Sequence, residues 1–121
     1  MKLLTSLFVL LLIAEHAYAD LVLIGNSPRG DVFIDDASLK KVKNEVIFQS
    51  ILNLKDKTNR GTSSIKVESI INCQKLEMVD TNMMAYEEVD GKGRMIDSWK
   101  PELKWKTIDA NNLLYKFICI Q

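Results

Sequence analysis

The sequence predicts an α+β domain: one antiparallel sheet of about five to six strands, with a C-terminal helix packed on one face and stapled to it by a disulfide. Three observations predict it. Segments 45–55 and 63–72 alternate apolar and polar residues with period two, the signature of strands buried on one face. The apolar residues near the C-terminus instead recur at helical spacing. Two cysteines, Cys73 and Cys119, fall one in each kind of segment.

The elements follow in order. Met1 to Ala19 has the three parts of a secretory signal: Lys2, the apolar run Leu3 to Ala14, and Ala17-Tyr18-Ala19 before Asp20. The run is shorter than the roughly 20 residues a membrane span needs. The expected mature domain is therefore 20–121, an exported protein, periplasmic or secreted, with no transmembrane segment. His16, the one histidine, leaves with the signal. Leu21 to Ile24 reads as a first strand, ended by the turn residues Gly25-Asn26-Ser27-Pro28. Val32 to Ile34 is a second short strand, and Asp35 to Lys41 a polar turn or single helical turn.

Glu45 to Lys55 places Val46, Phe48, Leu52 and Leu54 on the core face, with Ile47 and Ile51 among the polar residues opposite. Lys55 to Gly61 is a hairpin loop. Ser63 to Asn72 puts Ile65, Val67, Ser69 and Ile71 on the core face, and Cys73 with them. Leu76 to Val89 is a weaker strand with Met78, Met84 and Tyr86 in one register. Asp90-Gly91-Lys92-Gly93 supplies the positive φ of a tight hairpin turn. Arg94 to Trp99 returns as a strand, and Pro101 confines it to an edge. Asp109 is the expected N-cap of a helix over Ala110 to Cys119, with Leu113, Leu114, Phe117 and Ile118 as its apolar stripe.

Composition narrows the function. Sixteen basic and sixteen acidic residues give a net charge of zero, and removal of Lys2 and Glu15 keeps it there. The interspersed charges exclude the basic face of a nucleic-acid binder. Two cysteines in an exported chain read as one disulfide, Cys73–Cys119, closing a loop of about 47 residues worth ~4 kcal/mol in chain entropy; two unpaired buried thiols are the alternative. Without histidine there is no Ser-His or Cys-His pair to activate a nucleophile. The adjacent carboxylates Asp35-Asp36 and Glu87-Glu88 point to opposite faces of an extended chain, so neither forms an acid–base dyad. No enzyme activity, metal or cofactor is expected.

Two motifs remain as partner-binding candidates. Arg29-Gly30-Asp31 is the integrin-recognition tripeptide in a predicted exposed turn; the commoner reading of such a match is that Gly30 makes the turn and Asp31 opens a strand. Lys100, Lys104 and Lys106 flank Trp99 and Trp105, with Lys104 and Lys106 alternating against Trp105. That is either a small patch for heparin or an acidic partner or, as is commoner, a solvated strand face over a buried tryptophan. Ile47, Ile51 and Ile70 on the second sheet face suggest self-association, a homodimer or another partner surface.

An ordered set of residues carries a family resemblance: Phe33, Ile34, Asp35 and Ser38, then Asn72-Cys73, Tyr86, Gly91 and Gly93, and finally Trp105, Ile108 and Cys119. Over roughly Asp31 to Gln121 the chain resembles the surface-adhesin protein E-like domain family of Gram-negative bacteria, named after a Haemophilus adhesin. The resemblance implies a small antiparallel sheet with a C-terminal helix. It also implies a dimerising surface protein that binds host matrix and plasma proteins of the vitronectin and laminin type. The chain departs from the named member in having no cysteine at the cleavage site, so no lipid anchor is expected. The expected function is an exported, non-enzymatic, adhesin-like binding protein; the alternative is a periplasmic structural or accessory subunit of an envelope assembly with no host ligand.

Overall fold

The computed structural model describes residues 20–120; the expected signal segment lies outside them. Seven strands form one antiparallel sheet: β1 Leu21–Ser27, β2 Gly30–Val42, β3 Glu45–Leu54, β4 Ser64–Asn72, β5 Glu77–Tyr86, β6 Met95–Trp99 and β7 Lys106–Thr107. The first six are neighbours in chain order, while β7 pairs with β5 beside β6. Among the described residues one α-helix, α1 (Leu113–Cys119), follows.

The register assigns the two faces, because directly paired residues share a side. Val46 pairs with Ile71 and Phe48 with Ser69, as the alternation predicts. Ile34, Val46, Phe48 and Ile71 are the buried core. Leu114, Tyr115, Phe117 and Ile118 of α1 pack against it, together with Ile24, Met78 and Ile108. Cys73 and Cys119 are bonded with 5.6 Å between their Cα atoms. Seven residues of helix extend only about 10 Å at 1.5 Å per residue. A ten-residue strand such as β3 is about 33 Å long. Val46 and Phe48 are therefore buried, while Leu52 and Leu54, further along the same face, are only half-buried.

Several elements differ from the sequence reading. β1 runs on to Ser27, so Gly25, Asn26 and Ser27, expected as turn residues, pair with β2, and the two-residue β7 makes seven strands where five to six were expected. The expected polar turn at Asp35 to Lys41 is strand: β2 continues to Val42, with a register shift between Asp35 and Lys40. Ser38 fills the irregularity. Its hydroxyl donates to the Asp35 carbonyl at 2.6 Å and accepts from the Gln49 N–H at 2.8 Å, replacing a lost ladder bond. β5 carries a second bulge, a shift between Glu68 and Ser69 of its partner strand. It moves Met84 and Tyr86 to the face opposite Met78, so these three do not share a register. Thr81, at the bulge, donates its hydroxyl to the Glu68 carbonyl at 3.1 Å.

The helix begins at Leu113, not Ala110, and its N-cap is Asn112. The Asn112 side chain accepts from Leu114 and Tyr115 N–H at 3.0 and 3.1 Å. Asp109 instead closes a local turn, accepting from Asn111 N–H at 2.8 Å. Finally, Asp90-Gly91 does take positive φ at both residues, but within a short 3-10 turn, Val89–Gly91, of a longer β5–β6 connection. That connection folds back on the second sheet face. Asn53 Nδ2 donates to Asp90 Oδ1 and Asn53 Oδ1 accepts from Asp90 N–H, both at 2.8 Å. Ser64 Oγ donates to the Glu88 carbonyl at 2.6 Å and accepts from Gly91 N–H at 2.9 Å. A Cβ on Gly91 would stand 3.0 Å from Lys66 Cε and 3.5 Å from Ile51 Cδ1, so glycine lets the turn sit close on the sheet.

Two stability predictions follow from this packing. Cys73→Ala or Cys119→Ala lowers the unfolding free energy by about 2–5 kcal/mol; an unchanged urea midpoint for either variant contradicts the bridge. Ser64→Ala removes both hydrogen bonds of the buried Ser64 hydroxyl, to the Glu88 carbonyl and from the Gly91 N–H, and costs about 1–3 kcal/mol, read as a shifted urea midpoint at unchanged slope.

Candidate functional site

The tripeptide Arg29-Gly30-Asp31 closes the β1–β2 hairpin. Ser27 pairs with Gly30, which leaves Pro28 and Arg29 as the central turn residues. Ser27 Oγ accepts from the N–H groups of Arg29 and Gly30 at 3.3 Å. Only Arg29 of the three is exposed. Gly30 is buried in β2, where a Cβ would stand 1.9 Å from the Asn53 carbonyl oxygen; the close approach of two backbones requires glycine there. Asp31 lies in β2 and accepts from Asn26 Nδ2 at 2.9 Å. The three residues thus belong to a hairpin end and a strand, and the expected exposed turn is reduced to Arg29.

The lysine–tryptophan segment is differently placed. β6 pairs with Met83 to Tyr86 of β5, and β7 pairs with Glu77 and Met78. The chain from Lys100 to Trp105 connects these two short edge strands. Every residue from 102 to 107 is exposed. Trp105 is 44% exposed, Trp99 39% and Leu103 68%. The buried tryptophan favoured by the sequence reading is therefore wrong. Two-residue and five-residue edge strands have no layer outside them to bury a large ring. Lys104 and Lys106 come together, both lining a small cavity of about 210 Å³ with Asp80 and Glu102. Lys100 is exposed on the same connection. Among the described residues the ion pairs are Arg60–Asp97 and Arg94–Glu87, so none of the three lysines is engaged in one.

A cleft that the sequence did not reveal lies on the core face of the sheet, away from α1. Ile65 pairs with Ala85 and Ala85 with Asp97, so one row of side chains forms its base. Trp99 follows Asp97 on the same side of β6. The loop 58–62 forms the opposite wall, closed on itself by Thr58 N–H to Thr62 carbonyl at 3.0 Å and Thr62 N–H to Thr58 Oγ1 at 3.0 Å. Arg60 Nη1 reaches across to Asp97 Oδ2 at 3.2 Å. The cleft is open to solvent, with a volume of about 440 Å³. No local sequence signal points to it, because its walls, residues 58–62 and 96–99, meet only through the topology of the sheet.

On the second face, Ile47 pairs directly with Ile70, and both are half-buried. Ile51 shares that face but is only 2% exposed, beneath the docked 88–91 turn, so it is not available to a partner as expected. The adjacent carboxylates make local contacts: Asp35 Oδ1 accepts from the Ala37 N–H at 3.1 Å, and Glu87 pairs with the Arg94 guanidinium at 3.3 Å. What the exposed surface offers is recognition: indole faces, aliphatic carbon and unpaired ammonium groups on one edge.

The chain matches the family model described as surface-adhesin protein E over residues 21–120. Its fold is similar to solved structures of Haemophilus influenzae protein E. One crystal form has a TM-score of 0.67 at 17% identity, covering 86% of this chain and 90% of that one. Another structure of the same protein has a TM-score of 0.62 at 19% identity, covering 88% and 85%. Protein E from a non-typeable strain gives 0.63 at 17% identity, covering 84% and 74%. At these identities the likeness speaks for the fold alone. A search of curated proteins found no match. The match over nearly all described residues shows that this chain belongs to the surface-adhesin protein E family.

Proposed function

We propose that this protein is an exported, non-enzymatic binding domain that engages a protein partner through the edge formed by β6, β7 and their connection. The observation that carries this reading is the joint exposure of Trp99, Leu103 and Trp105 beside Lys100, Lys104 and Lys106. Tryptophan is enriched among residues that dominate binding energy, because a rigid, amphipathic ring buries a large area at small entropic cost. Lysines at the rim steer an acidic partner and set the encounter rate. Membership of a surface-adhesin family supports a protein ligand of the host matrix or plasma class, and vitronectin and laminin are the first to test. Arg29 and Asp31 carry less of this proposal, since Gly30 between them is buried. Among the described residues no helix is long and apolar enough to cross a membrane. A homodimer through the half-buried Ile47–Ile70 pair is part of the same proposal and is read from the mass in solution.

The experiment is surface-plasmon-resonance titration of the processed, oxidised protein against immobilised vitronectin and laminin. Saturable binding is expected, weakening as salt rises because exposed charges are screened. Trp105→Ala should weaken it about 10–30-fold, or roughly 1.4–2 kcal/mol, with an unchanged melting temperature. Lys104→Ala with Lys106→Ala should act mainly on the association rate. Absence of binding to either ligand, or full binding by Trp105→Ala, contradicts the reading.

A further inference from the structure

The cleft beside Trp99 has a chemistry distinct from that of the lysine edge. Its base is apolar, formed by Ile65 and Ala85, and the Trp99 ring stands at its side. Its rim is polar, with Asn59, Arg60 and Asp97. Arg60 and Asp97 lie 3.2 Å apart and cancel each other's charge. A charged ligand finds no net opposite charge there. A wholly apolar ligand would cover the ion pair and the Asn59 amide without replacing their hydrogen bonds with water, which is unfavourable.

A neutral polyhydroxylated ring meets both demands. Its C–H face lies against indole and aliphatic carbon. Its hydroxyls, each a donor and an acceptor, match guanidinium donors, carboxylate acceptors and an amide that offers both. The volume of about 440 Å³ falls within the range of small-ligand sites, about 300–1,000 Å³. The walls are already in place: the 58–62 loop is closed by its own hydrogen bonds, Gly61 N–H donating to the Thr58 carbonyl at 2.9 Å in addition to those above. Little ordering is left for a ligand to impose, which favours binding.

We propose that this cleft is a carbohydrate site that takes one neutral sugar ring, stacked on Trp99 and hydrogen-bonded by Asn59, Arg60 and Asp97. The proposal does not rest on the protein-partner reading, and it involves Trp99 but neither Trp105 nor the three lysines.

The test is a titration of the processed, oxidised protein with the methyl glycosides of galactose, mannose and N-acetylglucosamine, followed by backbone amide and indole N–H chemical shifts. The two indole resonances separate Trp99 from Trp105. At least one glycoside should give saturable shifts at a Kd of about 1–10 mM. The shifts should cover residues 58–62, Ala85 and the Trp99 indole and spare the Trp105 indole. Trp99→Leu should weaken binding at least about tenfold. Asn59→Ala, at an exposed loop position, should keep the melting temperature and still weaken binding. Three results would overturn the proposal: no saturable shift with any of the three glycosides, shifts centred outside the cleft, or undiminished binding by Asn59→Ala. So would occupation of the cleft by N-acetyl-leucinamide but by none of the sugars, which would mark it as a peptide side-chain pocket. Because the readout is sugar alone, failure here leaves the vitronectin and laminin titration standing, and the reverse also holds.

Discussion

The bond between Cys73 and Cys119 is the constraint on which the rest of the structure depends. The sheet presents one strongly apolar patch, Ile34, Val46, Phe48 and Ile71, and α1 is the helix that packs over it. Seven residues are too few for a helix to hold in water by its own propensity, since isolated helices shorter than about 12–15 residues are marginal. Its cap at Asn112 and its apolar residues both help, but neither fixes its position along the sheet. The disulfide does. It ties the last residue of α1 to the end of β4, one residue beyond Asn72, and so holds Phe117 and Ile118 at the buried patch. In a domain of about 100 residues the core is small, and one covalent staple packed against it is a large share of the stability.

Polar pins do similar local work elsewhere. Ser38 repairs the ladder in β2, Thr81 bonds across the bulge in β5, and the cross-strand neighbours Asn53 and Ser64 hold the 88–91 turn against the second face. Each is a short side chain that both donates and accepts or reaches a backbone group directly. The consequence for function is geometric. With one face partly covered by α1 and the other partly covered by the turn, the β6–β7 edge and the cleft beside it stay open, as does the β1–α1 edge at Leu23, Leu113 and Ile120. Short strands rich in flanking lysine are also how a sheet edge avoids pairing with another copy of itself. The lysines therefore have a protective role that is compatible with recognition.

How much of this was legible in the sequence varied with the kind of signal. β3 and β4 were readable because their alternation is long and two-sided, and the bridge because the cysteines fell on a core strand and at the end of an apolar stripe. The continuation of β2 was not. Asp35-Asp36-Ala37-Ser38 has the composition of a turn, and only the Ser38 hydrogen bonds turn it into a bulge. The register of Met78 against Met84 failed for the same reason, since a single bulge residue reverses every later side chain. The Lys43-Asn44 turn between β2 and β3 has φ of 58° at Lys43, a conformation that lysine does not advertise. The site was the least legible part. Nothing in the order Trp99, Leu103, Trp105 tells an exposed edge from a buried one, because exposure there depends on β6 and β7 being too short to support a covering layer. The cleft needs residues 58–62 and 96–99 to meet, and that contact is fixed by topology alone.

The measurement that bears most directly on this account is amide hydrogen exchange of the oxidised protein and of the protein reduced at Cys73–Cys119, compared residue by residue. The account predicts that reduction abolishes protection at Tyr115 to Cys119 and lowers it strongly at Phe48 and Ile71, which lie beneath the helix. The effect on Ile65 and Ala85, at the far end of the sheet, should be smaller. Helix amides that keep their protection after reduction would show that α1 is held by packing alone, and would contradict the bridge as the constraint that organises the fold.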